Sequence, residues 1–268
     1  MNDQAHHRVA RIHLPVALNC NIQCAYCERR IDVDRSMSDR PGSCETIMTP
    51  EQAVREARDF LGDWGRHAIV GIAGPGDPLA NSQTFDTLAL VSRELPDARL
   101  CLCTNGLNLT DSIERLKASR VAYVTVTING VDPKITSRIH SWVMDQGEKK
   151  GGVDGAAILL EKQISGIEKA VAAGIFIKVN TVAIPDINIS HIPVIAKTVA
   201  RLGAGVMNIM PLIPGGTFSH FKAPAPVIMS QLYKDCSQHV SVFKSCKQCR
   251  ADARGIPGKE RCTWKKTA

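Results

Sequence analysis

Three cysteines stand close together in CNIQCAYC, at positions 20, 24 and 27. Structural zinc sites usually bring their cysteines as CxxC pairs, completed by a second pair or by histidines. This trio is spaced C-x3-C-x2-C instead. Three thiolates can hold three irons of a 4Fe-4S cluster and leave the fourth iron open to a ligand. The bland alternative is a zinc knuckle or a chance group of buried thiols. GIAGPGDP (71–78) is a second block with chemical content, because its glycines let backbone groups approach a ligand closely. An ordinary Gly/Pro turn would read the same way. Thr104, Asn105 and Gly106 follow the apolar run RLCLCT, which carries Cys101 and Cys103. Asn180 lies within IFIKVNTVA. Near the C-terminus CKQC holds Cys246 and Cys249, and with Cys236 and Cys262 it makes a candidate four-thiolate zinc module.

These residues need elements to position them. Apolar strand-like runs at 11–18, 67–73, 99–104, 121–128, 175–183 and 205–213 alternate with helical patterns. The helices are expected from Thr49 to Trp64 and near 82–94, 111–118, 155–173 and 190–202. Thr49, Pro50 and Gln52 form a helix start with a capping box, and Gly174 is a natural C-cap. Val/Ile-rich strands between helices predict a parallel sheet buried on both faces. The fold class is α/β, a partial (βα)6 barrel over 1–213 with a cysteine-bearing tail over 214–268. In such a barrel, ligands belong at the carboxyl ends of the strands. The trio follows the first strand there, GIAGPGDP the second and CTNG the third. MDQGEKKGGV (144–153) is expected to be a mobile loop, and the tail is expected to fold over the barrel mouth.

The 268 residues are 44% hydrophobic and 22% charged, with a net charge of +7, as in an ordinary globular protein. No apolar run reaches membrane-spanning length, and MNDQAHHRVAR lacks a signal-peptide core. A cytoplasmic protein is expected. Ten cysteines in a reducing compartment point to metal ligation, not disulfides. Six Phe, three Trp and three Tyr supply no aromatic-basic surface for nucleic acid.

The CxxxCxΦC pattern, with Tyr26 as the aromatic, resembles the radical S-adenosylmethionine (SAM) superfamily. The ordered blocks RIHLPVALNCNIQCAYCERR, GIAGPGDPLAN, LCLCTNGL, VTVTINGVDP, IMPLIP and CKQCRADA resemble its NifB branch more narrowly. That resemblance implies a SAM-cleaving 4Fe-4S cluster on Cys20, Cys24 and Cys27. It implies a SAM site made by Gly74, Pro75, Gly76, Asp77, Thr104, Asn105 and Asn180. It also implies one or two auxiliary 4Fe-4S clusters, with Cys101, Cys246 and Cys249 as the surviving ligands. The implied reaction fuses two 4Fe-4S units around a carbide from a SAM methyl group, giving the eight-iron core of the nitrogenase iron–molybdenum cofactor. The implied partners are an iron–sulfur cluster donor, an electron donor and a cofactor carrier or scaffold protein. Neither nucleic acid nor a membrane is expected.

The sequence departs from that pattern in places. The upstream HPC element is missing, and Val33 stands where the branch carries a cysteine. Cys44, His6 and His7 are the available stand-ins, Cys103 replaces a usual serine, and Cys236 and Cys262 have no implied role. A NifB-like radical enzyme with one auxiliary cluster and a different substrate is the second reading, and the zinc module is the third. His13 reads as a core histidine or a ligand. His140 and His191 read as structural residues in helical segments.

Overall fold

The computed structural model of the chain describes residues 9–34, 40–244 and 250–256. It opens with β1 (Arg11–His13) and β2 (Ile22–Cys24). Helices and strands then alternate through α1 (Pro50–Trp64), β3 (Ile69–Ile72), α2 (Ser82–Glu94), β4 (Arg99–Thr104), α3 (Leu109–Ala118) and β5 (Val121–Thr127). A short α4 (Pro133–Thr136) and the strands β6 (His140–Asp145) and β7 (Glu148–Gly151) precede α5 (Gly152–Ala172), β8 (Phe176–Ala183), α6 (Ile192–Arg201) and β9 (Val206–Pro211). The last described elements are α7 (Pro226–Cys236), β10 (Val242–Phe243) and β11 (Arg254–Gly255).

The main sheet has the order β10-β9-β8-β5-β4-β3-β1-β11. All of its pairings are parallel except β1 with β11. The six strands β1, β3, β4, β5, β8 and β9 therefore follow chain order, which is a partial (βα)6 barrel. Curling brings Arg11, near one edge, and Phe243, near the other, onto the wall of a single cavity.

Local chemistry starts and stops the helices as expected. Thr49 Oγ1 accepts from Gln52 N at 3.3 Å, while Gln52 Oε1 accepts from Thr49 N at 2.8 Å, closing the capping box of α1. Gly174 follows α5 at φ 78°, a backbone conformation that glycine adopts without a steric penalty.

Three expectations are corrected. The sheet is not buried in apolar contacts on both faces. Ile72, Leu102, Val126, Val179 and Ile209 pack outward into one core with the helices. The alternate residues Cys101, Cys103, Thr125, Lys178 and Asn180 line the inner cavity, as the two-residue period of a strand requires. The first strand stops at His13 and does not reach residue 18. Pro15 has no N–H for the ladder, and beyond it the chain bridges Pro75 through Ala17. Residues 144–153 are no loose loop, since β6 and β7 pair as an antiparallel hairpin. Gln146 and Gly147 make its two-residue turn with φ 48° and 84°. β6 also pairs with β2, giving a small sheet β2-β6-β7. After residue 214, β10 extends the main sheet beside β9 and β11 pairs with β1.

Candidate active site

The carboxyl ends of the strands surround a cavity of about 370 Å3. Cys20, Cys24 and Cys27 all line it. The chain reaches Cys20 along the loop that follows β3. Gly76 N donates to Ala17 O at 2.6 Å and Asp77 N to Asn19 O at 2.9 Å. The Asn81 side chain holds Asn19 from both sides, at 3.0 and 2.9 Å. A Cβ on Gly76 would run into the Asn19 carbonyl and stand 2.8 Å from Leu18 O. The missing side chain of Gly76 thus serves the approach of two chain segments.

Past Cys20 the motif is clamped in its turn. β2 pairs with β6, and Ala25 N donates to Ile139 O at 2.8 Å. Gln23 Nε2 donates to the carbonyls of Cys24 and Cys27 at 3.0 and 3.4 Å. Arg29 donates to Gln23 Oε1 at 3.1 Å. Glu28 accepts from Gly216 N at 2.8 Å and pairs with Arg30 at 2.6 Å.

Burial raises the pKa of each thiol. Cys24 is pushed well above the usual range by burial and then by the neighbouring Cys27 and Cys20. Cys20 is raised by burial and by Asp77, and Cys27 is pushed up to about 11 by burial. Three thiolates so close repel one another unless a positive body sits between them. Soft sulfur donors sharing one cavity fit an iron–sulfur cluster. Among the described residues no three His, Cys, Asp or Glu side chains are arranged to hold a single metal ion.

Of the expected SAM residues, Pro75, Gly76, Asp77, Thr104, Asn105 and Asn180 line the cavity. Gly74 stands back from it at φ 134°, where a Cβ would be 3.5 Å from the Ala251 methyl. Asp77 is 3% exposed, and burial pushes its pKa up to about 6. Its carboxylate accepts from Leu79 N at 2.9 Å, Asn105 N at 2.6 Å and Thr104 Oγ1 at 2.9 and 3.0 Å. The aspartate therefore latches the end of β3 to the end of β4. Asn105 passes the constraint on: its Nδ2 donates to Asn21 Oδ1 at 2.7 Å and reaches Cys20 Sγ at 3.9 Å. Gln163 of α5 holds the Asn105 carbonyl at 2.6 Å. On β8, Asn180 Oδ1 accepts from Asn208 at 3.2 Å.

Deeper in the barrel Cys101, Cys103 and His13 line the same cavity. Gly71 makes room there, because a Cβ on it would stand 2.7 Å from Cys101 Sγ and 3.2 Å from the His13 ring. His13 is buried, which drives its pKa down to about 3, and its Nδ1 lies 3.3 Å from Arg250 O. Cys44 is buried and its carbonyl accepts from Val33 N at 3.2 Å, so the stand-in cysteine and the position without one are paired backbone neighbours. Cys246, Cys249, Cys262, His6 and His7 lie outside the described residues. Cys236, the last residue of α7, is fully buried in the apolar core.

Several residues contribute contacts that the sequence pattern did not specify. Tyr26, the aromatic of the motif, accepts from Asn129 Nδ2 at 2.9 Å and donates toward Cys24. Arg250 and Asp252 form an ion pair, 4% and 1% exposed at the side chains, with a 2.7 Å contact. Arg250 also donates to Val33 O at 2.9 Å, and Asp252 accepts from Glu45 N at 2.9 Å. The segment RADA thus ties the loop after the trio to β1, where His13 N donates to Ala253 O at 2.8 Å. His140 opens β6 and is not helical. His191 lies in a single 3-10 turn, and its Nε2 accepts from Val131 N at 3.0 Å.

Comparisons with known proteins give the fold and the family. The Radical SAM superfamily profile matches residues 14–199. In the solved structures, SuiB of Streptococcus suis bound to S-adenosylmethionine superposes with TM-score 0.62 at 13% identity, over 91% of this chain and 53% of that one. anSMEcpe with bound AdoMet gives 0.59 at 15% identity, over 88% and 63%. These likenesses are of fold. By sequence, the FeMo cofactor biosynthesis protein NifB of Klebsiella pneumoniae is 43% identical over 96% of this chain and 56% of its own length. NifB of Azotobacter vinelandii is 40% identical, over 97% and 53%. The chain thus spans about half the length of these bacterial relatives. NifB of Methanocaldococcus jannaschii is 39% identical over 95% of this chain and 84% of its own length. The chain belongs to the NifB family of the radical SAM superfamily.

Proposed function

We propose that this chain is a radical SAM enzyme of nitrogenase cofactor biosynthesis, building the carbide-containing eight-iron core from two 4Fe-4S clusters. The observation that carries the reading is one cavity lined by Cys20, Cys24 and Cys27 together with Cys101 and the strand-end residues, in a chain of this family. A 4Fe-4S cluster held there would supply the electron for reductive, lyase-type cleavage of SAM to a 5′-deoxyadenosyl radical. The protein's own part is positional. Cys20, Cys24 and Cys27 hold the cluster. Pro75, Gly76, Thr104, Asn105 and Asn180 form the walls against which SAM rests, and the Asp77 latch keeps two of those walls together. Cys101, which lines the same cavity, would with Cys246 and Cys249 hold an auxiliary cluster.

The working partners are a cluster donor, an electron donor and a carrier that takes the product away. No helix among the described residues is long and apolar enough to cross a membrane, and a thiol trio that holds an iron–sulfur cluster needs a reducing setting, which supports the cytoplasm. Anaerobically reconstituted protein, once reduced, is expected to convert SAM to 5′-deoxyadenosine and to retain the labelled SAM methyl carbon in an eight-iron product. Cys24→Ala is expected to do neither. Cleavage unimpaired in that variant would remove the trio from its role. Val33, in place of a thiol, favours a second reading with one auxiliary cluster and another substrate. Cleavage without methyl carbon in any iron product would select that reading.

A further inference from the structure

β2 and β6 pair antiparallel, with Cys24 directly opposite His140. Side chains opposite one another in such a pair project to the same side, with Cβ atoms about 4.5–5.5 Å apart. The register slips between Gln23, which faces Trp142, and Cys24, which faces His140. Ser141 is thus the extra residue of a bulge, and bulges re-aim neighbouring side chains. Cys24 and His140 both line the cavity.

His140 is only 5% exposed, and its Nδ1 is buried with no hydrogen-bond partner. Burial holds the ring neutral, with a pKa of about 4. A neutral imidazole has one N–H to give, and buried polar groups are rarely left unpaired. The other donor at this corner is already placed, since the Tyr26 hydroxyl, fixed by Asn129 at 2.9 Å, donates toward Cys24. A group filling the cavity beside Cys24 can supply the partner that Nδ1 lacks.

We propose that His140 is a positioning residue for the SAM-cleaving cluster, donating its ring N–H to a sulfur at the Cys24 corner. This rests on the trio holding that cluster. Hydrogen bonds to the sulfurs of an iron–sulfur cluster are among the factors that set its reduction potential. A donor stabilises the more negative, reduced form, so His140 raises the potential and eases the electron uptake that SAM cleavage needs.

The test compares anaerobically reconstituted wild type, His140→Phe and His140→Gln by iron content and by EPR-monitored redox titration. His140→Phe is expected to keep its iron and to show a more negative midpoint, while His140→Gln, which retains a donor, stays near wild type. An unchanged midpoint in His140→Phe, or equal shifts in both variants, would overturn the proposal. Pulsed EPR on wild type carrying 15N-histidine gives a second readout if the variants lose iron. A weak 15N coupling to the SAM-cleaving cluster is expected. Its absence, or the strong coupling of a directly bound nitrogen, would count against the hydrogen bond. If the trio reading itself were wrong, Cys24→Ala would leave the cluster signal untouched, a result separate from any shift at His140.

Discussion

The outer and inner faces of the same barrel strands carry different duties. On β4, Leu100 and Leu102 point outward and are 2% and 0% exposed. Their neighbours Cys101 and Cys103 point inward to the cavity. The outer face is continuous aliphatic packing shared with the helices. The inner face is a ring of thiols, amides, hydroxyls and a lysine, held apart so that something else can fill the space. Stability and chemistry are therefore interleaved residue by residue along each strand. Damage to one should be separable from damage to the other.

The apo-protein gives the scale on which to break that separation. Leu102→Ala, on the outer face, is expected to cost about 2–5 kcal/mol by removing a fully buried side chain. Denaturant unfolding would show it, and a cost below about 1 kcal/mol would mean the outer face does not carry the fold. Gly76→Val comes next, at about 1–3 kcal/mol, because the new side chain must displace Leu18–Asn19. That strain falls on the lead into Cys20, so iron bound by the trio should drop together with SAM binding. Full iron content with weakened SAM binding alone would show that the glycine serves the cofactor instead.

The third effect is on pH. His13 is neutral in the folded state down to a pKa of about 3, while the unfolded chain protonates near 6.5. Its folded pKa is lowered, so acid favours the unfolded chain. The stability it permits is complete above pH 6.5 and is lost as pH falls from there toward about 3. Between pH 6.5 and about 5.5 the loss is about 1 kcal/mol, and it should vanish in His13→Gln. The smallest stability change is expected for Cys24→Ala, about 1 kcal/mol or less, since truncation only enlarges an existing cavity. The same variant should lose all SAM cleavage. A large destabilisation of apo Cys24→Ala would blur the two faces.

Much of the scaffold was legible because its determinants are local. The start of α1 is written in Thr49, Pro50 and Gln52, which are within three residues of one another. Ser82–Glu94 and Arg99–Thr104 follow from periodicity bounded by turn residues. The hairpin at His140–Gly151 was misread because its polar sequence EKKG has no strand pattern of its own. It is held by a cross-strand partner, β2, more than a hundred residues earlier. The tail strands β10 and β11 are two residues each, too short for any period to register.

The site divides in the same way. Cys20, Cys24 and Cys27 are readable as a candidate cluster site because three thiols sit within eight residues, and they line one cavity. Sequence alone also determined the alternation of strands and helices that delivers the ends of β1, β3 and β4 to one mouth. Only the tertiary structure decided what the intervening residues do there. Asp77 reads as a group awaiting a ligand, but its oxygens are taken up by Leu79, Thr104 and Asn105. Gly76 reads as space for a cofactor, but the space is filled by Asn19. His140 reads as an ordinary polar residue until β6 brings it opposite Cys24. The physical reason is common to all three. A side chain's role is set by which hydrogen bonds and contacts remain unmet once the chain has folded around it, and the partners that meet them lie far away in sequence.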